Sequence, residues 1–169
     1  CIRDRGTGGG GGIGRAAALA FAREGAAHGV VADIDPSTAA STVEQVEEDE
    51  GSASVWEVDV TDEEAVAGMV AAIGDRHGRL DAAFNNAGIN HPSTAFHELD
   101  RASWEEILAS NLTSVFLCMK HELRQMSAQD SGGVIVNTSS GAGVVAAPGQ
   151  PHYTAATHGI LGLPRSAAA

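Results

Sequence analysis

Apolar residues along this chain alternate between short dense runs and longer stretches spaced every three to four positions, the pattern of strands interleaved with amphipathic helices. Val30-Val31-Ala32, residues 54–60, residues 80–84 and Val134-Ile135-Val136 read as strands, short and apolar enough to be covered on both faces. Helices separate them. Residues 13–24 are rich in alanine and leucine and stop at Gly25. Asp35-Pro36 joins an N-cap to a first-turn proline and opens a helix running to about Glu50, ended by Gly51. Thr61-Asp62-Glu63-Glu64 has the spacing of a capping box, ahead of a helix that carries Val66, Met69, Val70 and Ile73 on one face and ends near Gly78. One long helix is expected from Arg101 to Met126, and a last one from Tyr153 to Leu163. The alternation predicts βαβ units in a parallel sheet, and with no repeat or linker in sight the 169 residues read as one domain. Two places strain the pattern. The strand that should precede the glycine run holds Arg3, Asp4 and Arg5, where a central parallel strand would bury charge, and Pro164 should break or kink the last helix.

Composition narrows the function classes. Ten basic against 22 acidic residues give a net charge of −12, which repels phosphate backbones and argues against nucleic acid as a partner. The acidic stretch at residues 44–50 reads as a solvated helix face. No apolar run has membrane-spanning length and no leader pattern opens the chain, so a soluble cytoplasmic protein without membrane contact is expected. The two cysteines, Cys1 and Cys118, form no framework, and Cys118 lies in an apolar run that suits a buried small hydrophobe. The seven histidines show no ligand spacing, so no metal site is expected.

Chemistry begins at the glycine run. Thr7-Gly8-Gly9-Gly10-Gly11-Gly12-Ile13-Gly14 leads directly into a helix, and bare backbone there turns tightly and aims N–H groups at a pyrophosphate. A flexible linker is the competing reading of five consecutive glycines. Asp33 decides between them: it lies 19 residues after Gly14, at the end of an apolar run, where a carboxylate accepts from ribose hydroxyls and repels a 2′-phosphate. NAD is favoured over NADP. Arg15, beside the loop, keeps NADP in view, although an exposed helix position also explains it. The fold expected from this loop is an α/β, Rossmann-type, doubly wound parallel sheet with helices on both faces.

Read together, Gly8, Gly12, Ile13 and Gly14, then Asp59-Val60-Thr61, Asn85-Asn86-Ala87-Gly88, Asn111, Ser139-Ser140 and Tyr153 stand in the order and context of the short-chain dehydrogenase/reductase family. The chain resembles that family over nearly its whole length. The resemblance implies that Asp59 and Val60 border the adenine and that Asn85 lies along the adenosine side of the cofactor. Asp59 also reads as a strand-end turn former, and Asn85 as a side chain that steadies the sheet. It further implies that Ser140, 13 residues before Tyr153, holds a substrate oxygen while the Tyr153 phenol exchanges a proton with it. Ser139 is the alternative serine. Asn111 resembles the family asparagine that anchors a proton-relay water. The partner implied is a small alcohol or ketone, and the assembly a homodimer or homotetramer built on the long helix and the Tyr153 helix. Relative to the family, one residue is extra around Ala27-His28-Gly29. The strands that follow in the family are missing, which would leave the fifth strand as an exposed apolar edge.

The family pattern Tyr-xxx-Lys here reads Tyr153-Thr154-Ala155-Ala156-Thr157. Residues four apart share a helix face, so the lysine would stand beside the phenol and favour its ionised form. Thr157 is neutral and short. Lys120, the chain's sole lysine, belongs to another helix, and His158 points about 100° further round than Thr157. Three functions follow: an NAD-dependent oxidoreductase interconverting a secondary alcohol and a ketone, with activity depressed by Thr157; a dinucleotide-binding pseudoenzyme or scaffold; and a nucleotide-binding domain of the sugar-epimerase kind, which the glycine spacing fits less well.

Overall fold

The computed structural model describes residues 2–168, with side chains described for residues 6–168. Five parallel strands form one sheet in the order β3-β2-β1-β4-β5: β1 (Ile2–Thr7), β2 (Ala26–Asp33), β3 (Ala53–Glu57), β4 (Ala82–Asn85) and β5 (Val134–Asn137). After β3 the chain crosses to the far side of β1. The C-terminal ends of β1 and β4 therefore diverge and leave a crevice, the place where ligands bind in doubly wound sheets. The charged run at Arg3-Asp4-Arg5 is strand after all, its backbone paired with β2 throughout and joined by β4 from Asp4. The extra residue near Ala27 is absorbed there: Ile2 pairs with Ala26 and Arg3 with His28, so the register skips Ala27.

Period-two burial splits the sheet into two faces. Val30 and Ala32 join Val58, Leu80 and Ala83 in the main core with Val66, Met69, Val70 and Ile73 of α3 (Glu63–His77) and with Cys118 and Met126 of α5 (Ser114–Ser127). All four apolar residues predicted for α3 are buried. The alternating residue Val31 faces the glycine turn instead, on the side of α1 (Gly12–Arg23) and α2 (Pro36–Glu48). A second cluster, Val115, Met119 and Ile160, seats α6 (Pro151–Ala167) against α5. The acidic end of α2 is exposed, and Asp49 pairs with Arg23 at 2.8 Å.

Local chemistry sets most element ends. Asp35 caps α2, accepting from the Ser37 N–H at 2.9 Å and its hydroxyl at 2.6 Å; those bonds hold its carboxyl below the usual carboxylate range. Gly78 ends α3 in the left-handed region at φ 75°. Three expectations are corrected. The cap of α3 is Asp62, whose carboxylate accepts from the Glu64 and Ala65 N–H groups, while Thr61 turns back to Asp59. The single long helix is two, α4 (Arg101–Leu108) and α5, joined by one π turn at Ala109–Thr113. The last helix begins earlier than expected and runs through Pro164 to Ala167. A proline so near the end removes only one internal bond, and its own carbonyl still accepts from the Ala168 N–H at 3.0 Å. The edge at β5 is exposed and apolar as expected, with Val134 at 63% and Val136 at 49%.

The cap assignment is testable. Asp62→Ala is expected to lower the unfolding free energy in urea by about 1 kcal/mol, and Thr61→Ala by no more than about 0.5 kcal/mol. Equal losses would return the cap to Thr61.

Candidate active site

At the crevice the glycine run divides by role. A Cβ on Gly14 would lie 2.0 Å from the Gly8 carbonyl oxygen, so α1 sits on this turn only because position 14 is bare. A Cβ on Gly10 would strike Thr38, and one on Gly8, at φ 61°, would press on the Ala87 backbone. Gly11 and Gly12, by contrast, have nothing within 4 Å of a Cβ position, and Ile13 is 63% exposed. The loop therefore packs through its first half and opens to solvent at the N-terminus of α1. No side chain caps that end, whose N–H groups remain to meet an anion.

Asp33 ties the loop to the sheet. One carboxylate oxygen accepts from the Gly10 N–H at 2.9 Å, the other from the Asp35 N–H at 3.1 Å. Arg15 folds back over the loop, donating to the Thr42 hydroxyl at 3.0 Å and to the Gly10 carbonyl, and Thr42 in turn donates to the Gly9 carbonyl at 2.9 Å. The Arg15 guanidinium is thus part of the loop's scaffold. A cavity of about 270 Å³ opens beside Asp33, walled by Gly8, Asp59, Val60 and Ala87–Ile89 among others. Asp59 keeps one oxygen on Thr61, at 2.8 Å from its N–H and 2.7 Å from its hydroxyl.

Asn85 departs from the expectation. It is 2% exposed and lines neither cavity of the crevice. Its amide donates to Glu122 at 3.0 Å and to Asn137 at 2.9 Å, joining β4 to α5 and β5. Of its two readings, the sheet-steadying one describes its position, because an amide this deep needs internal partners. The crevice wall is made instead by Asn86, Ala87, Gly88 and Ile89.

Those residues also bound a second cavity, of about 210 Å³, together with Asn111, Thr138, Ser139, Tyr153 and Thr157. Ala87, Gly88 and Ile89 are common to both. Asn111 lies in the π turn, 5% exposed, and its amide grips the Ile89 backbone from both sides: Oδ1 accepts from the N–H at 2.8 Å and Nδ2 donates to the carbonyl at 2.7 Å. A π turn inserts one residue and re-aims the side chains around it, which turns Asn111 into the crevice. Gly88 admits this contact, for its Cβ position lies 3.3 Å from the Asn111 oxygen.

The two serines differ, and of them Ser139 alone is among the residues that bound either cavity. Ser139 lines the cavity but spends its hydroxyl proton on the Thr157 carbonyl at 2.9 Å. Ser140 opens the short 3₁₀ turn Gly141–Gly143, and its hydroxyl oxygen accepts from the Ala142 N–H at 3.2 Å, which leaves its proton to give. Tyr153 stands in the first turn of α6 on the cavity wall. One turn later Thr157 is 2% exposed, its hydroxyl donating back to the Tyr153 carbonyl at 2.8 Å. Among the described residues that bound this cavity, none is a cation. Lys120 is held by Glu63 across α3 and α5 at 2.5 Å, a contact that keeps the Glu63 carboxyl below its usual range, and His158 is exposed. Among the described residues no cluster of His, Cys, Asp and Glu could hold a metal ion, and no helix is long and apolar enough to cross a membrane. Sequence reading had not singled out Thr42 or His152. Both are buried polar side chains whose partners lie far along the chain or in the backbone, which no local pattern marks.

Known proteins share this arrangement. Residues 6–169 match the short chain dehydrogenase family model. The chain is 42% identical over 163 residues to the cis-4-hydroxycyclohexanecarboxylate dehydrogenase of Sinomonas cyclohexanicum, covering 96% of this chain and 64% of that protein. Among solved structures it superposes on levodione reductase with a TM-score of 0.94 at 35% identity, covering 99% of this chain and 65% of that one. An NAD⁺-bound xylitol dehydrogenase gives a TM-score of 0.94 at 33% identity, covering 98% and 63%. The chain thus spans a little under two thirds of the length of each of these relatives. With its parallel sheet, glycine turn and Tyr153 cavity in the same order along the sequence, the chain belongs to the short-chain dehydrogenase family.

Proposed function

We propose that this chain forms the NAD-binding and acid–base part of an oxidoreductase that interconverts a secondary alcohol and a ketone. The observation that carries the reading is the continuity of the crevice: the wall Ala87-Gly88-Ile89 bounds both the cavity beside Asp33 and the cavity beside Tyr153. A long ligand bound at Asp33 and along the open half of the glycine loop extends along that wall toward the phenol. The residues fit a nicotinamide dinucleotide. Gly11 and Gly12 leave room for a pyrophosphate at the start of α1, and Asp33 keeps lone pairs for ribose hydroxyls. Such a cofactor, when bound, gives or takes the hydride. The Tyr153 phenol gives or takes the proton at the substrate oxygen, the Ser140 hydroxyl donates to that oxygen, and Asn111 holds the Ile89 wall against which the substrate lies. Asp59 and Val60 border the adenine end.

NAD is preferred to NADP in this reading. A carboxylate at Asp33 would repel a 2′-phosphate on a ribose held there, and the Arg15 guanidinium is engaged with Gly10 and Thr42. The relatives are named for a ring-hydroxy carboxylate and a polyol, so a small alcohol or its ketone is the class proposed. Association through α4, α5 and α6 into a homodimer or homotetramer belongs to the same reading.

Thr157 favours a second reading, a dinucleotide-binding protein without turnover. Its hydroxyl is turned to the helix backbone, and no ammonium stands beside the phenol. Positioned acid–base groups contribute on the order of 10²–10⁴-fold in rate, and a phenol without its cation forfeits much of that. The 210 Å³ cavity beside Thr157 gives a longer side chain somewhere to go.

Two measurements test these readings. Thr157→Lys is expected to raise NAD reduction with a panel of secondary alcohols by roughly 10²–10⁴-fold. Tyr153 is the chain's single tyrosine, so ionised-phenol absorbance should also emerge at lower pH in that variant. No gain in either would remove Tyr153 and position 157 from the chemistry. Asp33→Ala is expected to weaken NAD binding by about 1.5–3 kcal/mol, roughly ten- to a hundredfold in Kd by calorimetry, while narrowing its advantage over NADP. Unchanged NAD affinity would show that the cofactor does not meet Asp33.

A further inference from the structure

The helix that carries Tyr153 starts in an unusual way. Its N-cap, Gln150, makes no side-chain hydrogen bond, and Pro151 at the first position has no N–H to satisfy. The first intrahelical bond runs from the Thr154 N–H to the Gln150 carbonyl at 2.9 Å. The N–H of Tyr153 is therefore an orphan donor of the first turn. It is met by a ring nitrogen: His152 Nδ1 accepts from it at 2.9 Å. An acceptor at Nδ1 fixes the neutral imidazole with its proton on Nε2.

That ring is wholly buried, and its Nε2 is a buried polar atom with no hydrogen-bond partner among the described residues. The ring stands edge-to-face with that of His91, with ring centroids 5.8 Å apart at an interplanar angle of 70°. His91 follows directly on the Gly88–Asn90 stretch of the cavity wall and reaches Glu106 of α4 at 3.3 Å. Glu106, His91 and His152 thus form a chain from α4, across the loop beside the cavity, to the backbone of Tyr153. A hydrophobic side chain would fill the same space without the acceptor. A buried imidazole with an unmatched proton costs stability, so its presence calls for a use beyond packing.

We propose that His152 is a positioning residue for Tyr153: its neutral ring, backed by His91, caps the first turn of α6 and sets where the phenol stands in the cavity, and protonation of His152 releases it. The inference rests on Tyr153 being the proton-transfer group, but the placement of Tyr153 can be read without turnover. The groups around the ring are His91 from the loop, Glu106 beyond it, and Asp100 at the start of α4. Burial pushes the His152 pKa below 6.5, His91 pushes the same way, and Asp100 opposes them. The folded chain therefore keeps His152 neutral where the unfolded chain begins to protonate it. Stability from the neutral ring is complete above pH 6.5 and is lost as pH falls toward the lowered folded value.

Because Tyr153 is the sole tyrosine, its ring resonances can be followed by NMR in the intact chain while pH is lowered from 7.5. They are expected to shift in one step, with the midpoint at which the His152 ring signal itself titrates. In His152→Asn, whose side-chain oxygen can replace Nδ1 as acceptor, that step should vanish and the signals should stay near their neutral-pH positions. At pH 7.5, His152→Leu should move the Tyr153 signals. In a Thr157→Lys background it should also lower kcat by on the order of ten- to a hundredfold with KM little changed, and His152→Asn should restore most of that. If His152→Leu does not fold, the pH series and the asparagine variant decide alone; if the chain unfolds before His152 titrates, the variants at pH 7.5 decide. Tyr153 signals that stay still while His152 titrates, or that keep the same step in His152→Asn, overturn the proposal. Displaced Tyr153 signals with unchanged kcat would instead keep the positioning role and count against Tyr153 as the proton-transfer group.

Discussion

The crevice depends on one buried hydroxyl at the point where the sheet reverses direction. Thr7, at the end of β1 and 1% exposed, accepts from the N–H groups of Asn86 at 2.9 Å and Ala87 at 3.2 Å, just past the end of β4. Beyond their paired residues the two strands part, and backbone N–H groups left there would lose water without gaining partners. Thr7 supplies one partner for two of them and so fixes where the Ala87–Ile89 wall leaves the sheet. The glycine turn is then built against that wall, with Gly8 in close approach to Ala87. Asn111 holds the wall's other end at Ile89. The glycine loop and the Tyr153 cavity are thereby set relative to one another through four residues of backbone.

What could be read from the sequence was whatever a short window dictates. The apolar run Val30-Val31-Ala32, the apolar face of α3, the Asp35-Pro36 start and the Gly78 end each depend on neighbours within a turn or two, and each is found in place. The α3 cap was misplaced by one residue because Thr61 and Asp62 both suit it, and only the bond from Thr61 to Asp59 shows which is engaged. The π turn at Ala109–Thr113 left no pattern, since an inserted residue shifts the apolar face without interrupting it. Asn85 sits beside the crevice-lining residues in sequence but faces the other way, and its partners Glu122 and Asn137 lie 37 and 52 residues away. The strand at Arg3–Arg5 looked too charged for a sheet centre, yet its backbone pairs with β2 throughout and with β4 from Asp4. Pairing on both sides outweighed the side-chain pattern.

Charge is distributed so that the two halves of the site depend on different things. The chain is strongly acidic, and an anionic ligand is accommodated by N–H groups and a helix end, which need no lysine. Asp33 adds a negative group at this end without undoing that arrangement, because its oxygens are already partly spent on the Gly10 and Asp35 N–H groups. Arg15, beside the loop, is committed to holding its shape. In the function proposed, dinucleotide binding thus rests on backbone geometry spread over several glycines.

The Tyr153 end has no such redundancy. Ionising a phenol needs a stabilising charge close by, and in this fold only a side chain one turn along α6 stands beside it on the same face. Thr157 occupies that position with its hydroxyl turned to the helix backbone, so nothing local compensates. The remaining polar groups there are amides, hydroxyls and buried neutral imidazole, all of which orient without supplying charge. In the function proposed, a binding half made of backbone and a reacting half made of a few side chains fail independently. A single substitution at position 157 therefore bears on turnover while leaving the fold, the crevice and the cofactor loop as the family builds them.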